Sequence, residues 1–171
     1  MLEIEIKIKI DNLAELRPAL FRAGAHLEKE RTAEENTLYD FRSGAFHEKR
    51  SALRLRRTGK KTFLTFKGAP QKSRRFKVRE EFETEVKNEK QMKRILRGLG
   101  MVPAYHYKKF RTGYRTNRLR ISVDETAAGC YLELEGQRSD IAKFARMLGF
   151  SPADWIKLDY IQLLQDKEKK A

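Results

Sequence analysis

A strict alternation of apolar and charged residues opens the chain. From Leu2 to Ile10, every even position holds leucine or isoleucine, and every odd position holds glutamate or lysine. A period of two predicts a β-strand with one apolar face and one charged face. Similar strands are predicted at 51–58, 62–68, 75–86, 105–114, 117–125 and 130–137. With an extended stretch at 27–42, the count is about eight strands.

Helix signals lie between and after these strands. Asp11 or Asn12, then Asn88 and Ser139, are predicted to cap helices that follow them, and 159–169 is predicted to form a short terminal helix. Strands outnumber helices, and several adjoin across short turns. This order favours an α+β fold built on an antiparallel β-barrel over a doubly wound sheet.

Nothing in the composition marks a domain boundary. The 171 residues contain no low-complexity segment and no long linker, so we predict one domain over 1–171 with a C-terminal helical segment at about 139–171. Cys130 is the only cysteine, which excludes an internal disulfide and fits a reducing compartment. No apolar run approaches the roughly 20 residues that span a bilayer, and charges begin at Glu3. We therefore expect a cytoplasmic protein with no membrane partner.

The predicted strands carry their charges on one face, because apolar residues alternate with the charged ones. These faces hold Glu3, Glu5, Lys7, Arg54, Arg56, Thr65, Lys67, Arg79, Glu81, Glu83, Lys109, Arg111, Arg118, Arg120, Asp124, Glu133 and Glu135. One interpretation is that they meet water, as one side of an antiparallel sheet often does. The other is that an eight-stranded sheet closes around its polar face, with helices packed outside, and encloses a charged lumen.

A charged lumen implies a ligand, because clustered carboxylates repel one another and an unpaired buried charge is costly. Mg²⁺ or Mn²⁺ would relieve the acids, and a polyphosphate would relieve the bases. A metal–triphosphate complex satisfies both sets and suits phosphoryl transfer. The net charge of +14 also predicts an anionic partner. Charge alone does not choose among nucleic acid, an acidic membrane surface and a phosphorylated small molecule.

The same segments resemble, in order, the motifs of the CYTH superfamily, the triphosphate tunnel metalloenzymes. Glu3-Ile4-Glu5-Ile6-Lys7 matches the ExExK signature. The further matches are Ala52-Leu53-Arg54-Leu55-Arg56, Leu64-Thr65-Phe66-Lys67-Gly68, Arg79-Glu80-Glu81-Phe82-Glu83, Lys109-Phe110-Arg111, Val123-Asp124 with Gly129, and Tyr131-Leu132-Glu133-Leu134-Glu135. Together they cover about residues 2–165. Within the superfamily, the resemblance is strongest to the bacterial class IV adenylyl cyclase-like branch.

The resemblance implies a role for each matched residue. The metal-site acids would be Glu3, Glu5, Asp124, Glu133 and Glu135. The triphosphate-binding bases would be Lys7, Arg54, Arg56, Lys67, Arg79, Lys109 and Arg111, and the further tunnel acids would be Glu81 and Glu83. Lys109 is the candidate for activating or positioning a water, with Tyr39 as a second catalytic candidate. The alternative for Tyr39 is a packed aromatic at the barrel end.

The first strand gives a geometric expectation as well. Glu3 and Glu5 should face Glu133 and Glu135 across the lumen, with Lys7 on the phosphate side. The reaction stays open between two classes of enzyme. One is hydrolysis of tripolyphosphate or of a nucleoside or thiamine triphosphate. The other is cyclisation of ATP to cyclic AMP and pyrophosphate.

A third possibility is a barrel that binds RNA or another polyanion without catalysis. The basic composition favours it. Against it, the acids would repel phosphate unless a metal intervened, and no aromatic platforms for stacking bases are interleaved with the basic residues. A nucleic-acid partner is therefore not expected, and the resemblance implies a homodimer as one possible assembly.

Overall fold

The structure, a computed structural model, describes residues 2–169. Its strands are β1 (Leu2–Ile10), β2 (His26–Phe41), β3 (Ala52–Thr58), β4 (Lys61–Lys67), β5 (Lys77–Val86), β6 (Met101–Arg115), β7 (Leu119–Thr126), β8 (Gly129–Gly136) and β9 (Trp155–Ile156). Its α-helices are α1 (Leu13–Arg22), α2 (Ala45–Glu48), α3 (Glu89–Gly98), α4 (Arg138–Met147) and α5 (Tyr160–Glu168). Within the described residues, no helix is both long enough and apolar enough to cross a membrane.

The strands join in one sheet in the order β5-β4-β3-β2-β6-β7-β8-β1-β9. Because β5 also pairs with β1, strands β1 to β8 close into an antiparallel barrel, and β9 lies outside it. The predicted fold class is therefore confirmed. The alternation of apolar and polar residues in the strands explains this fold, since it gives every strand one apolar face for helices to cover.

Two compact units make up the described chain. The first unit contains 33–72 and 79–108, and the second unit contains 3–32, 73–78 and 109–169. Each has its own apolar cluster. The prediction of one domain over 1–171 stays a prediction.

The apolar cluster of the second unit is built on the alternation that opens the chain. Ile6 and Ile8 of β1 are almost completely buried, as are Leu132 and Leu134 of β8. Helices α1 and α4 contribute to the same cluster. Helix α1 begins after Asn12, whose side-chain oxygen accepts hydrogen bonds from two backbone N–H groups of the first turn, as predicted.

The apolar cluster of the first unit contains Tyr39, Leu55, Val86, Leu96 and Met101. Helix α3 supplies Leu96 and begins after the predicted cap, whose side chain accepts a hydrogen bond from the backbone of the first turn. These apolar residues leave the other face of the strands to polar side chains.

Three local predictions differ from the structure. Ser139 was expected to cap α4, but the helix begins one residue earlier, at Arg138 after Gln137, and has no side-chain cap. The short helix α2 lies in the segment 42–49, for which no helix was predicted, and the Asp40 carboxylate accepts hydrogen bonds there from the backbone N–H groups of Phe46 and His47. Strand β9 was not predicted, because two residues that pair only with distant β1 carry no local signal.

Candidate functional site

The polar cluster of the second unit begins where β1 pairs with β8. Lys7 lies directly opposite Glu133 in the register, and Glu5 lies opposite Glu135. Lys7 Nζ is 2.8 Å from Glu133 Oε1, and the lysine side chain is only 2% exposed. The expectation that Glu5 faces Glu135 across a lumen is therefore wrong, because their strands are hydrogen-bonded neighbours. Lys7 lies beside an acid, Glu133, and its place on the phosphate side stays a prediction.

Asp124 of β7 is the centre of this cluster. Its fully buried carboxylate accepts hydrogen bonds from Lys109 Nζ at 2.7 Å, Arg111 Nε at 2.6 Å and the Tyr160 hydroxyl at 2.5 Å. Arg111 also binds Glu133. The Lys109 ammonium lies 4.5 Å from the centre of the Tyr160 ring, a cation–π contact. Helix α5 therefore supplies a side chain to the site through its first residue.

The pKa shifts follow from these contacts. Burial alone would raise the pKa of Asp124, but the charges of Arg111 and Lys109 lower it below its ordinary value. The same competition, with Lys7 as the main cation, holds the pKa of Glu133 well below its ordinary range. Burial and the charge of Asp124 raise the pKa of Tyr160 well above 10. Both acids are thus ionised at neutral pH, and Tyr160 remains a hydrogen-bond donor.

Bases also pair with two further predicted metal-site acids of this unit, Glu5 and Glu135. Lys77 Nζ lies 3.0 Å from Glu5 Oε1, and both side chains are about nine-tenths buried. Glu135 lies 3.9 Å from the largely exposed Arg120, and Arg118 binds Asp140 at 3.3 Å. Arg118 and Arg120 thus form salt bridges at the surface.

The carboxylates of β1 and β8 fit a divalent cation in donor chemistry. Glu5, Glu133 and Glu135 occupy neighbouring positions of paired strands, and carboxylate oxygens are the ligands that Mg²⁺ and Mn²⁺ prefer. In residues 2–169, however, no group of three or more His, Cys, Asp or Glu side chains is arranged around a possible metal. The metal-binding roles of Glu3, Glu5, Asp124, Glu133 and Glu135 stay predictions.

The polar face of the first unit is formed by β2 to β5. Arg56 Nη2 lies 3.1 Å from both carboxylate oxygens of Glu83, and its Nη1 lies 3.4 Å from Glu34 Oε1. Thr65 donates to Glu83 at 2.6 Å. Arg54 Nη2 lies 3.7 Å from the same carboxylate. The predicted bases and tunnel acids of this unit are therefore brought together.

Arg79 and Asn36 of this face have buried polar atoms without a hydrogen-bond partner among the described residues. Lys67 binds Glu81 at 2.5 Å, but Arg79, which is only 7% exposed, has no ion-pair partner within residues 2–169, and its buried Nε has no hydrogen-bond acceptor. Asn36 lies opposite Arg56 in the register and is completely buried. Neither polar atom of its side-chain amide is hydrogen-bonded within the described part of the chain.

Tyr39 lies apart from these ion pairs. It is 5% exposed and belongs to the apolar cluster of the first unit. Since neighbouring residues of a strand point to opposite faces, its side chain leaves β2 on the side opposite to that of Asn36. This placement favours the packed aromatic that we gave as the alternative, and the catalytic role stays a prediction.

Sequence reasoning missed four residues of the two polar clusters: Glu34, Asn36, Lys77 and Tyr160. Glu34 and Asn36 had a usable signal, because they hold even positions of an extended segment whose odd positions include apolar Ala33, Tyr39 and Phe41. Tyr160 had none beyond the general similarity of its helix to the family, because the contact with Asp124 joins segments with no shared pattern.

Comparison with known proteins agrees with this architecture. Residues 1–148 match the CYTH domain family, and the chain belongs to that family. A Methanocaldococcus jannaschii protein named "Putative adenylate cyclase" is 31% identical over 149 residues, which cover 86% of this chain and 84% of that protein.

Solved structures share the fold. A Vibrio parahaemolyticus protein described as "a putative adenylate cyclase" superposes with a TM-score of 0.86 at 18% identity. The match covers 96% of this chain and 98% of that protein. A Hippeastrum protein named "Putative adenylyl cyclase" gives a TM-score of 0.72 at 21% identity, with 96% of both chains covered. That protein is described as having a dominant triphosphatase activity. At these identities the likeness concerns the fold alone.

Proposed function

We propose that this protein is a divalent-metal-dependent enzyme that binds a triphosphate and cleaves it by hydrolysis. The observation that carries the proposal is Arg79, a buried guanidinium without an ion-pair partner in residues 2–169. An unpaired buried charge is costly unless a ligand completes the site. Phosphate oxygens are the matching ligand, because guanidinium groups bind them through two parallel hydrogen bonds.

The bases of the first unit support the same ligand. Its polar face carries the bases Arg54, Arg56, Lys67 and Arg79 beside the acids Glu34, Glu81 and Glu83. These four bases lie on three neighbouring strands, β3, β4 and β5. A triphosphate carries several negative charges, so it competes with single carboxylates for these bases. We expect longer polyphosphates to bind more tightly than orthophosphate.

The polar cluster of the second unit contains the acids that would bind a metal. Glu5, Glu133 and Glu135, with Glu3, are the residues that would hold Mg²⁺ or Mn²⁺. Such an ion supplies a Lewis acid that polarises a phosphoryl oxygen. Since the Lys109 ammonium is already bound to Asp124, we propose that it acts as a fixed positive charge toward phosphate.

A second candidate is cyclisation of ATP to cyclic AMP and pyrophosphate. It is favoured by the name of the archaeal relative, which is 31% identical to this chain. The Hippeastrum protein, with a similar name and a dominant triphosphatase activity, favours hydrolysis. The two reactions differ in the attacking group, a water in one and a ribose hydroxyl in the other, so their products separate them.

The test is to incubate the protein with tripolyphosphate or ATP, with Mg²⁺ or Mn²⁺, and to identify the products. Orthophosphate released only in the presence of metal supports hydrolysis, and cyclic AMP with pyrophosphate supports cyclisation. The metal proposal has a readout of its own, because Mn²⁺ binding measured by calorimetry should weaken in the double variant Glu133→Ala, Glu135→Ala. No turnover, with RNA binding unchanged in that variant, would contradict both enzymatic proposals.

Arg79 provides a sharper test, with a matched control in the same chain. Arg79→Ala should raise the KM for tripolyphosphate by roughly tenfold or more, the usual loss for one charge-assisted contact. The exposed Arg75 precedes the same strand, and Arg75→Ala should leave KM unchanged. Equal KM values for the two variants would remove the observation on which the proposal rests.

A further inference from the structure

The side-chain amide of Asn36 is the most unusual polar group of the first unit. It is completely buried in the middle of β2, and neither its oxygen nor its nitrogen is hydrogen-bonded within residues 2–169. Because both atoms lack partners, exchanging their positions would not satisfy the group. Buried polar groups without partners are rare in native proteins, and a bound water or ligand that completes the site is one explanation for them.

The chemistry of the amide limits which ligand could satisfy it. The nitrogen donates two hydrogen bonds and the oxygen accepts. An ionised phosphate oxygen only accepts, so it would leave the amide oxygen unpaired. A metal ion would bind the oxygen and leave the nitrogen unpaired. An O–H group both donates and accepts, so it can pair with both atoms at once.

The position of Asn36 places that O–H group next to phosphate-binding residues. Asn36 lies directly opposite Arg56 on the neighbouring strand, and side chains at opposed positions share one face of the sheet. Arg56 in turn binds Glu83 and Glu34, the second of which lies two residues from Asn36 on β2. A phosphate that draws Arg56 away from Glu34 would open space beside the amide.

We propose that the Asn36 amide holds the water that attacks the terminal phosphorus, an inference that rests on the proposed hydrolysis. The water donates one hydrogen bond to the amide oxygen and accepts one from the amide nitrogen, which points a lone pair at phosphorus. The new P–O bond forms as the bond to the diphosphate breaks, and the electron pair leaves with the diphosphate oxygen. One water proton ends on the diphosphate and the other stays on orthophosphate, while Asn36 gains and loses no proton.

Asn36→Leu tests this role, because leucine has nearly the same size and cannot hydrogen-bond. With tripolyphosphate as substrate, water is the only hydroxyl available to attack. We expect kcat to fall by about tenfold to a hundredfold, as for other misplaced reacting groups, with KM changed by less than about twofold. The thermal midpoint should stay the same or rise, because an unsatisfied buried amide is replaced by an apolar group. The exposed Asn117 provides the control, and Asn117→Leu should change none of these values.

Asn36→Asp is the second variant, since it keeps an acceptor, loses the donor and adds a charge next to Glu34. It should also lower kcat with tripolyphosphate. Unchanged kcat in both folded variants would overturn the proposal, as would a rise in KM alone, which would indicate a phosphate contact. A loss confined to ATP would overturn it too, because the partner would then be the nucleoside. If the wild-type protein releases no orthophosphate, the proposed hydrolysis fails as well, so the two failures are distinguishable.

Discussion

The hydroxyl of Tyr160 is the group whose removal most directly probes the cluster around Asp124. It donates to Asp124 Oδ2 at 2.5 Å, and both residues are buried. Because the pKa of Tyr160 is raised well above 10, the hydroxyl keeps its proton throughout the neutral range. Tyr160→Phe removes this one donor and leaves the ring beside Lys109 in place.

The expected loss of stability in Tyr160→Phe follows from the negative charge on the acceptor, Asp124. A hydrogen bond to an ionised group contributes about 1.5–3 kcal/mol to stability, and Lys109 and Arg111 continue to pair with the carboxylate. We expect Tyr160→Phe to lower the free energy of unfolding in urea by that amount. For a chain of this length, the loss corresponds to a fall in thermal midpoint of roughly 3–12 °C.

Tyr131 provides the matched control. Its ring is also buried, but its hydroxyl donates to the neutral Ala128 carbonyl oxygen at 3.2 Å in a partly buried position. Tyr131→Phe should therefore cost only about 0.5–1.5 kcal/mol. If the two variants unfold at the same urea concentration, the argument that the charge of Asp124 strengthens the hydrogen bond from Tyr160 is refuted.

Two further predictions concern stability. A Cβ added at Gly136 would lie 2.8 Å from the Arg118 carbonyl oxygen, so Gly136→Ala should destabilise the protein by about 1–3 kcal/mol, whereas Gly98→Ala, with open space around it, should not; equal unfolding curves would contradict this. The pKa of Glu133 in the folded protein lies well below its unfolded value of about 4.3. Its stabilising contribution should therefore be complete above about pH 5 and be lost as pH falls through the folded pKa. Urea midpoints measured between pH 7 and pH 3 should fall only in the acid part of this range, and a flat profile would exclude the contribution.

Much of the fold could be predicted because its signal is local. Alternation in β1 fixes which side chains share a face, so Glu5 and Lys7 could be assigned to the charged face without knowledge of their partners. The same rule assigned Asp124 and Glu133 to charged faces, and the structure joins both acids to one network through Arg111.

The remainder of the site depends on contacts between distant segments. The pairing of Glu5 with Glu135 is a matter of register between β1 and β8, and alternation does not reveal which strands are neighbours. The contact between Tyr160 and Asp124 depends on how α5 docks. The unsatisfied amide of Asn36 depends on which donors and acceptors the neighbouring strands place around it, and local alternation does not determine that.

The pairing of Lys7 with Glu133 has a consequence for how the protein is made. More than a hundred residues separate these partners, so the ribosome completes β1 long before it completes β8. At the usual rate of synthesis this interval is on the order of ten seconds. Throughout that time β1 lacks the hydrogen-bonded partner that β8 later provides, and its charged side chains oppose pairing with other nascent chains. The charged side chains of β1 that lie in the polar cluster of the folded protein thus also protect the nascent strand from aggregation during synthesis.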